Sequence, residues 1–230
     1  MSTLTSPIVN GVLERLYATA EEADRPLREQ RQKLSPEERK ALFEAQQSDY
    51  RTTYERTMRA AYIPIEREFG TLLYVLACAR HASTIVEFGT SFGLSTIQLA
   101  AALRDNGGGR LVSTELVPSK AEAARTNLEA AGLSDLVEIR LGDALETLAH
   151  GVGSAIDLVL LDGAKSLYVP VLKLLEPTLA PRALVATDNT TAESPYVAYV
   201  RDPANGYLSL GLPFESGNEL SLWLGARHGR

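Results

Sequence analysis

The chain has 230 residues, of which 45% are hydrophobic and 23% charged, with a formal net charge of −6. That is the make-up of a soluble globular protein with one large domain, or one domain and an extension. The acidic balance argues against a face that neutralises nucleic-acid phosphates, and no apolar run reaches the ~20 residues of a membrane span. The start "MSTLTSPIVN" has neither the basic head nor the apolar core of a signal peptide. The lone Cys78, in "LLYVLACAR", cannot form an internal disulfide and is expected as a packing residue in a reducing, cytoplasmic setting.

Residues 1–65 read as an N-terminal helical extension. "SPEERKALFEAQ" carries a helix start, with Ser35 as cap, Pro36 in the first turn and Glu38 as the capping-box partner. From Glu21 to Arg59 acids and bases are evenly mixed, nine of each, which predicts solvated helix faces with Leu42, Phe43, Tyr50 and Tyr54 on the packing side. The extension either packs on the core or forms a lid over a site. Residues 66–230 form the main domain. Strand-like runs occur at "STIVEFG", "RLVSTEL", "LVEIRLG", "IDLVLLD" and "ALVATDN". Helical runs, "LSTIQLAAALRDN", "SKAEAARTNLEAAG", "ALETLAH" and "LYVPVLKLLEPTLA", separate or follow them. In the second helix Ala121, Ala124, Leu128 and Ala131 share a face, and Gly132 ends it. Doubly apolar strands alternating with helices predict a parallel sheet covered on both faces. The tail, "GYLSLGL" and "NELSLWLG" joined by "PFESG", has no helix between its strands. The expected fold is α/β: a doubly wound, mostly parallel, seven-stranded sheet that ends in an antiparallel hairpin.

In such sheets ligands bind at the carboxyl ends of the strands. The first run ends "VEFGTSFGLS", where glycines give either a tight turn or close approach to a ligand. Ser91 stands where a dinucleotide fold has its second glycine, and Glu87 would repel a pyrophosphate. Glu115 ends the second run and could accept both ribose hydroxyls; Asp143 follows the third, where adenine would lie. A nucleoside with a positive, phosphate-free tail fits these residues, which describes S-adenosylmethionine well and NAD poorly. Asp162 in "LLDGAKSLY" and Asp188–Asn189 in "ALVATDN" end the fourth and fifth runs. They are either strand-end acids in water or hard-oxygen donors for Mg²⁺. The histidines, His81, His150 and His228, are scattered. Lys165 is either a solvated charge or a proton acceptor beside a metal.

Taken together, "VEFGTSFGLS", Glu115, "DGAK" and "TDN" resemble the cation-dependent class I O-methyltransferases, the catechol and caffeoyl-CoA group, over about Tyr62 to Trp223. The resemblance implies a Rossmann-like methyltransferase fold. It implies that Glu87, Gly89 and Ser95 hold the methionine part of the cofactor and Glu115 its ribose, with Thr90, Ser91 and Gly93 also binding the cofactor. Asp143 would lie near adenine, with Asp162 at the cofactor's edge. Metal binding maps onto Asp162, Asp188 and Asn189, and the catalytic base onto Lys165. "YVRDPANGYLSLGLPFESGNELSLWL" resembles the family's closing helix and hairpin. Two departures are Ala164 before the lysine and "TTAESPYV" after Asn189, which alter the acceptor wall. The implied partners are S-adenosylmethionine, Mg²⁺ or another divalent cation, and a small-molecule acceptor such as a vicinal dihydroxy aromatic, with no nucleic acid and no membrane. A homodimer would fit by analogy with relatives. The rival readings are a metal-independent N- or O-methyltransferase and a non-catalytic nucleoside-binding module.

Overall fold

In the computed structural model, which describes residues 2–214 and 217–225, the apolar runs become one seven-stranded sheet. The strands are β1 (Thr84–Phe88), β2 (Arg110–Glu115), β3 (Val137–Leu141), β4 (Ile156–Leu161), β5 (Leu179–Thr187), β6 (Tyr207–Leu212) and β7 (Asn218–Trp223), in the order β3-β2-β1-β4-β5-β7-β6. The first five run parallel, and β7 pairs antiparallel with both β5 and β6. Every residue of β4 is buried, as a central strand covered on both faces requires. The hairpin lies as expected at the end of the sheet, with its second strand inserted against β5. Glu215 and Ser216, and also His228, lie outside the described residues.

The helices are α1 (Pro7–Ala23), α2 (Arg25–Gln32), α3 (Pro36–Ser48), the short α4 (Tyr50–Thr52), α5 (Arg67–Ala79), α6 (Leu94–Asp105), α7 (Pro118–Ala130), α8 (Ala144–Thr147), α9 (Tyr168–Leu175) and α10 (Pro195–Arg201). On one face of the sheet, Ile85, Leu111, Leu158 and Leu160 pack with Phe69, Leu73 and Ile97 of α5 and α6, and α1 closes that layer with Leu13 and Leu16. On the other, Val86, Val159 and Leu161 pack with α9 and α10 through Tyr168, Leu172, Tyr196 and Val200. None of the described helices is long and apolar enough to cross a membrane.

Several sequence expectations need adjustment. The Ser35 capping box forms, and Gly132 turns left-handed (φ 69°) just beyond α7. Helix α1 falls within the expected helical extension without having been assigned its own bounds, and α5 was not foreseen. The run "LYVPVLKLLEPTLA" is helical only to Leu175. Pro177 has no N–H to continue the ladder, so the chain tightens into a 3₁₀ turn, and Leu179 and Ala180 already belong to β5. Helix α3 buries no residue, so Leu42 and Phe43 are not packing residues of the core. Cys78 is half-buried and packs against the core beneath α5.

The registers Phe88↔Thr114, Phe88↔Leu161, Glu115↔Leu141 and Leu161↔Thr187 align the carboxyl ends of all five parallel strands. The strand order reverses between β1 and β4, so the crevice opens at the Gly89 and Asp162 ends.

Candidate active site

After Phe88 the chain must turn into α6 within a few residues. Gly89 takes φ 109°, and a Cβ there would lie 2.4 Å from the Asp162 carbonyl oxygen. A side chain would force the ends of β1 and β4 apart. Gly89→Ala is therefore expected to cost about 1–3 kcal/mol from backbone strain alone, before the clash is counted, read as a lower midpoint in urea unfolding. Ser91 is also left-handed, at φ 48°. Its N–H donates to Glu115 Oε2 at 2.8 Å and its hydroxyl donates to the Tyr62 carbonyl at 3.0 Å. In a dinucleotide fold this loop turns its N–H groups toward a pyrophosphate; here one is spent on a carboxylate.

Glu115 receives a second N–H, from Val117, at 2.8 Å on Oε1. Burial raises its pKa, opposed by the Val117 N–H, the Lys120 ammonium and the Ser91 N–H. Lys120 is itself buried, with its ammonium 3.5 Å from Ser91 Oγ and over the Phe92 ring. Burial lowers its pKa against the pull of Glu115, Asp24 and Asp162. Tyr62 stacks on Phe92 with centroids 3.7 Å apart, and the Tyr62 and Ile63 N–H groups donate to Asp24. The end of the N-terminal segment is thus strapped to the loop after β1.

Four residues assigned to the cofactor on sequence grounds lie behind this wall. Glu87 shares the strand face of Ile85, so its side chain points under α6 rather than into the crevice. There it accepts hydroxyl hydrogen bonds from Ser95 (2.6 Å), Thr96 (2.6 Å) and Ser113 (2.5 Å), and burial raises its pKa despite those three donors. Ser95 is spent on Glu87, and Thr90 pairs with the Ser113 hydroxyl at 2.5 Å. Gly93 serves as the left-handed cap of α6. None of the four lines the crevice, so in this structure they build the loop rather than the cavity wall.

Asp143 caps α8 through the Leu145 N–H and takes Arg51 Nη2 at 2.5 Å and the Tyr50 hydroxyl from α4. Burial works against its charge, but Tyr50, Leu145 and Arg51 outweigh it and hold the carboxyl below its ordinary range. At the other end, Lys165 Nζ lies 3.5 Å from Asp162 Oδ1 and donates to the Tyr168 hydroxyl at 2.7 Å; that hydroxyl donates to the Asp188 carbonyl at 2.9 Å. Asp188 is buried, with Oδ1 accepting Asn218 Nδ2 at 2.7 Å and Oδ2 accepting the Asn189 amide. Burial first, and the Asp188 charge second, push the Asp162 carboxyl well above its ordinary range; Lys165 opposes them.

These groups meet in one cavity of about 330 Å³. Gly89, Ser91, Glu115, Asp143, Asp162, Lys165 and Asn189 line it, whereas Asp188 sits just behind the Asn189 wall. Helices α2–α4 form the roof, which is also tied down at Ser166, whose N–H and hydroxyl donate to Gln47. Leu42, Phe43, Tyr50 and Tyr54, expected on the packing side, all line the cavity, and Tyr50 and Tyr54 also pack against the core beneath it. Sequence reasoning missed Lys120, Tyr168 and Asn218. Lys120 was the readable one, since it shares a helical face with Ala124 and Leu128 and a lysine there needs a partner.

A model of the methyltransferase domain matches residues 86–190, from β1 to just past β5. A catechol O-methyltransferase of Mycobacterium tuberculosis is 37% identical over 127 residues, 55% of this chain and 57% of that protein. One from Niastella koreensis is 34% identical over 130 residues, 55% of this chain and 58% of that protein. The crystal structure of O-methyltransferase TomG from Streptomyces achromogenes, in complex with S-adenosylmethionine, matches with a TM-score of 0.62 and 28% identity, over 78% of this chain and 90% of that one. Over the matched stretch the chain is similar to the class I S-adenosylmethionine-dependent O-methyltransferases of the catechol and caffeoyl-CoA group. Its matched stretch spans less than two thirds of the length of these two curated relatives. The roof helices α2–α4 lie outside the segment matched by the domain model.

The strand-end acids can be weighed as a cation site on their own chemistry. Asp188 is buried and Asp162 partly so, and their charges oppose each other, a combination that a divalent cation relieves. With the Asn189 amide they supply hard oxygen donors suited to Mg²⁺. The amide now turns its nitrogen to Asp188, and a half-turn exchanges nitrogen for oxygen. The donor set fits a divalent cation.

Proposed function

We propose that the chain is an S-adenosylmethionine-dependent O-methyltransferase for a small aromatic with two neighbouring hydroxyls, assisted by Mg²⁺ or another divalent cation. The observation that carries this reading is one cavity with two unlike ends: Ser91, Glu115 and Asp143 at one, Asp162, Lys165 and Asn189 at the other, with Gly89 between them. A relative crystallised with S-adenosylmethionine and two that are catechol O-methyltransferases support it. When bound, S-adenosylmethionine supplies a methyl group already made electrophilic by its sulfonium. The cation, held by Asp162, Asp188 and Asn189, supplies Lewis acidity at the acceptor oxygens.

The chain's own residues bind, aim and move one proton. Glu115, fixed by two backbone N–H groups, offers its remaining lone pairs to a ribose diol. Glu115→Ala is expected to weaken S-adenosylhomocysteine binding about 10- to 100-fold, with or without metal, as measured by isothermal titration calorimetry. Lys165, between Asp162 and the Tyr168 hydroxyl, takes the acceptor's proton at Nζ. Leu42, Phe43 and Met58 in the roof exclude water and hold the ring, so orientation contributes to the rate. The test is transfer of a labelled methyl group from S-adenosylmethionine to catechol, with product identified by mass spectrometry. Unmethylated catechol after prolonged incubation, with no affinity for S-adenosylhomocysteine, would end this reading.

Metal-independent transfer draws on one observation. Lys165 already spans Asp162, and Asp188 already accepts two amides, so this network is satisfied by protein groups. Insensitivity of turnover to EDTA would select it.

A further inference from the structure

Charge on the roof is sorted in a way that composition alone does not require. Between Glu21 and Arg59 the sequence carries nine acids and nine bases. Only two of those eighteen side chains line the cavity, Arg31 from the last turn of α2 and Arg39 from α3, and both are cations. Their neighbours on the roof are apolar or neutral, including Leu42, Phe43, Gln46 and Met58. Neither guanidinium is in a salt bridge with any described residue; Arg39 Nε donates to the Leu34 carbonyl, leaving its other donors for a ligand. Arg51, by contrast, is committed to Asp143. Tyr54 marks the axis between roof and floor: its phenol feels Asp162 and Glu115 from below and Arg31 from the roof.

From this arrangement we infer that the acceptor carries a carboxylate on the side of its ring opposite the hydroxyls, and that Arg31 and Arg39 bind it. This rests on the methyltransferase reading of the same cavity and narrows its substrate class to acidic aryl diols. Hydroxyls directed to Asp162, Asn189 and Lys165 leave the far edge of the ring under the roof. Two planar guanidinium groups there suit a planar carboxylate, which accepts paired N–H donors. A neutral catechol would leave both arginines facing apolar ring edge.

The test compares 3,4-dihydroxybenzoate with 3,4-dihydroxybenzamide, which share ring and diol and differ in charge. Two measurements are made on the full chain: binding to protein loaded with S-adenosylhomocysteine and Mg²⁺, and kcat/KM with S-adenosylmethionine. The acid is expected to win by about tenfold or more in both. The acid-to-amide ratio should collapse toward one in Arg31→Ala/Arg39→Ala. In Arg31→Glu/Arg39→Glu, preference should pass to a catechol bearing an ammonium group. A ratio near one in the wild-type protein, or a ratio that the double alanine variant leaves in place, overturns the inference. Turnover without acid preference would keep the methyltransferase and discard the carboxylate site. Acid-selective binding without turnover of either probe would support the carboxylate site and count against methyl transfer.

Discussion

Replacing Lys165 by methionine, which keeps the length and removes the amine, is expected to lower kcat on a catechol acceptor by about 10²- to 10⁴-fold. Lys165 lines the cavity 3.5 Å from Asp162 Oδ1 and 2.7 Å from the Tyr168 hydroxyl, so its amine is held at the floor rather than extended into solvent. The loss should fall on kcat, because the proton leaves during the chemical step, while S-adenosylhomocysteine affinity should stay within about threefold, since Glu115 binds at the other end. Lys165→Arg is the discriminating companion. It keeps the positive charge near Asp162 but lacks an amine that can accept a proton, and it should fail as badly as methionine. A methionine variant within tenfold of wild type in kcat would remove Lys165 from the proton transfer.

Asp188→Ala should lower divalent-cation affinity by about 100-fold or more, with turnover falling in the same proportion. Its carboxylate accepts the Asn189 and Asn218 amides, and its charge is the larger electrostatic influence on Asp162. Truncation therefore removes one donor, releases a second from its orientation and relieves the opposition of like charges that a cation answers. Two amides losing an acceptor also cost stability, about 1–3 kcal/mol for each buried group left unpaired. Thermal unfolding separates that cost from the metal effect. So does Asp188→Asn, which retains the shape and an acceptor but not the charge. Mn²⁺ binding followed by paramagnetic resonance without acceptor present gives a readout that does not depend on turnover. If Asp188→Ala bound Mn²⁺ as wild type does, the assignment of Asp188 would be wrong.

Strands and their ends were legible because burial on both faces forces long apolar runs, and the polar residue that stops each run marks the carboxyl edge. Asp162, Asp188 and Glu115 could be found that way. The same logic overreached at Glu87. It lies one residue before the strand end, and period-two alternation turns it beneath α6, where three hydroxyls take it up. The roof was legible only as one of two alternatives. Leu42 and Phe43 read as a core face because the helical period reports an apolar stripe but not what it faces; here it faces a cavity. Asp24, Tyr62 and Ile63 form the strap through backbone N–H groups and a ring stack, and contacts of that kind leave no residue pattern. Lys120 lay in an Ala-rich helix and received no reading, although it shares a face with Ala124.

We propose that one cavity joins a cofactor end to a cation-assisted acceptor end. The measurement that tests it most directly is methyl transfer from S-adenosylmethionine to 3,4-dihydroxybenzoate with Mg²⁺, after EDTA, and after Mg²⁺ is restored. A cation-assisted acceptor end should give turnover that EDTA abolishes and Mg²⁺ brings back. Turnover indifferent to EDTA would contradict the cation's part, and cofactor binding without transfer to any aryl diol would contradict the acceptor end altogether.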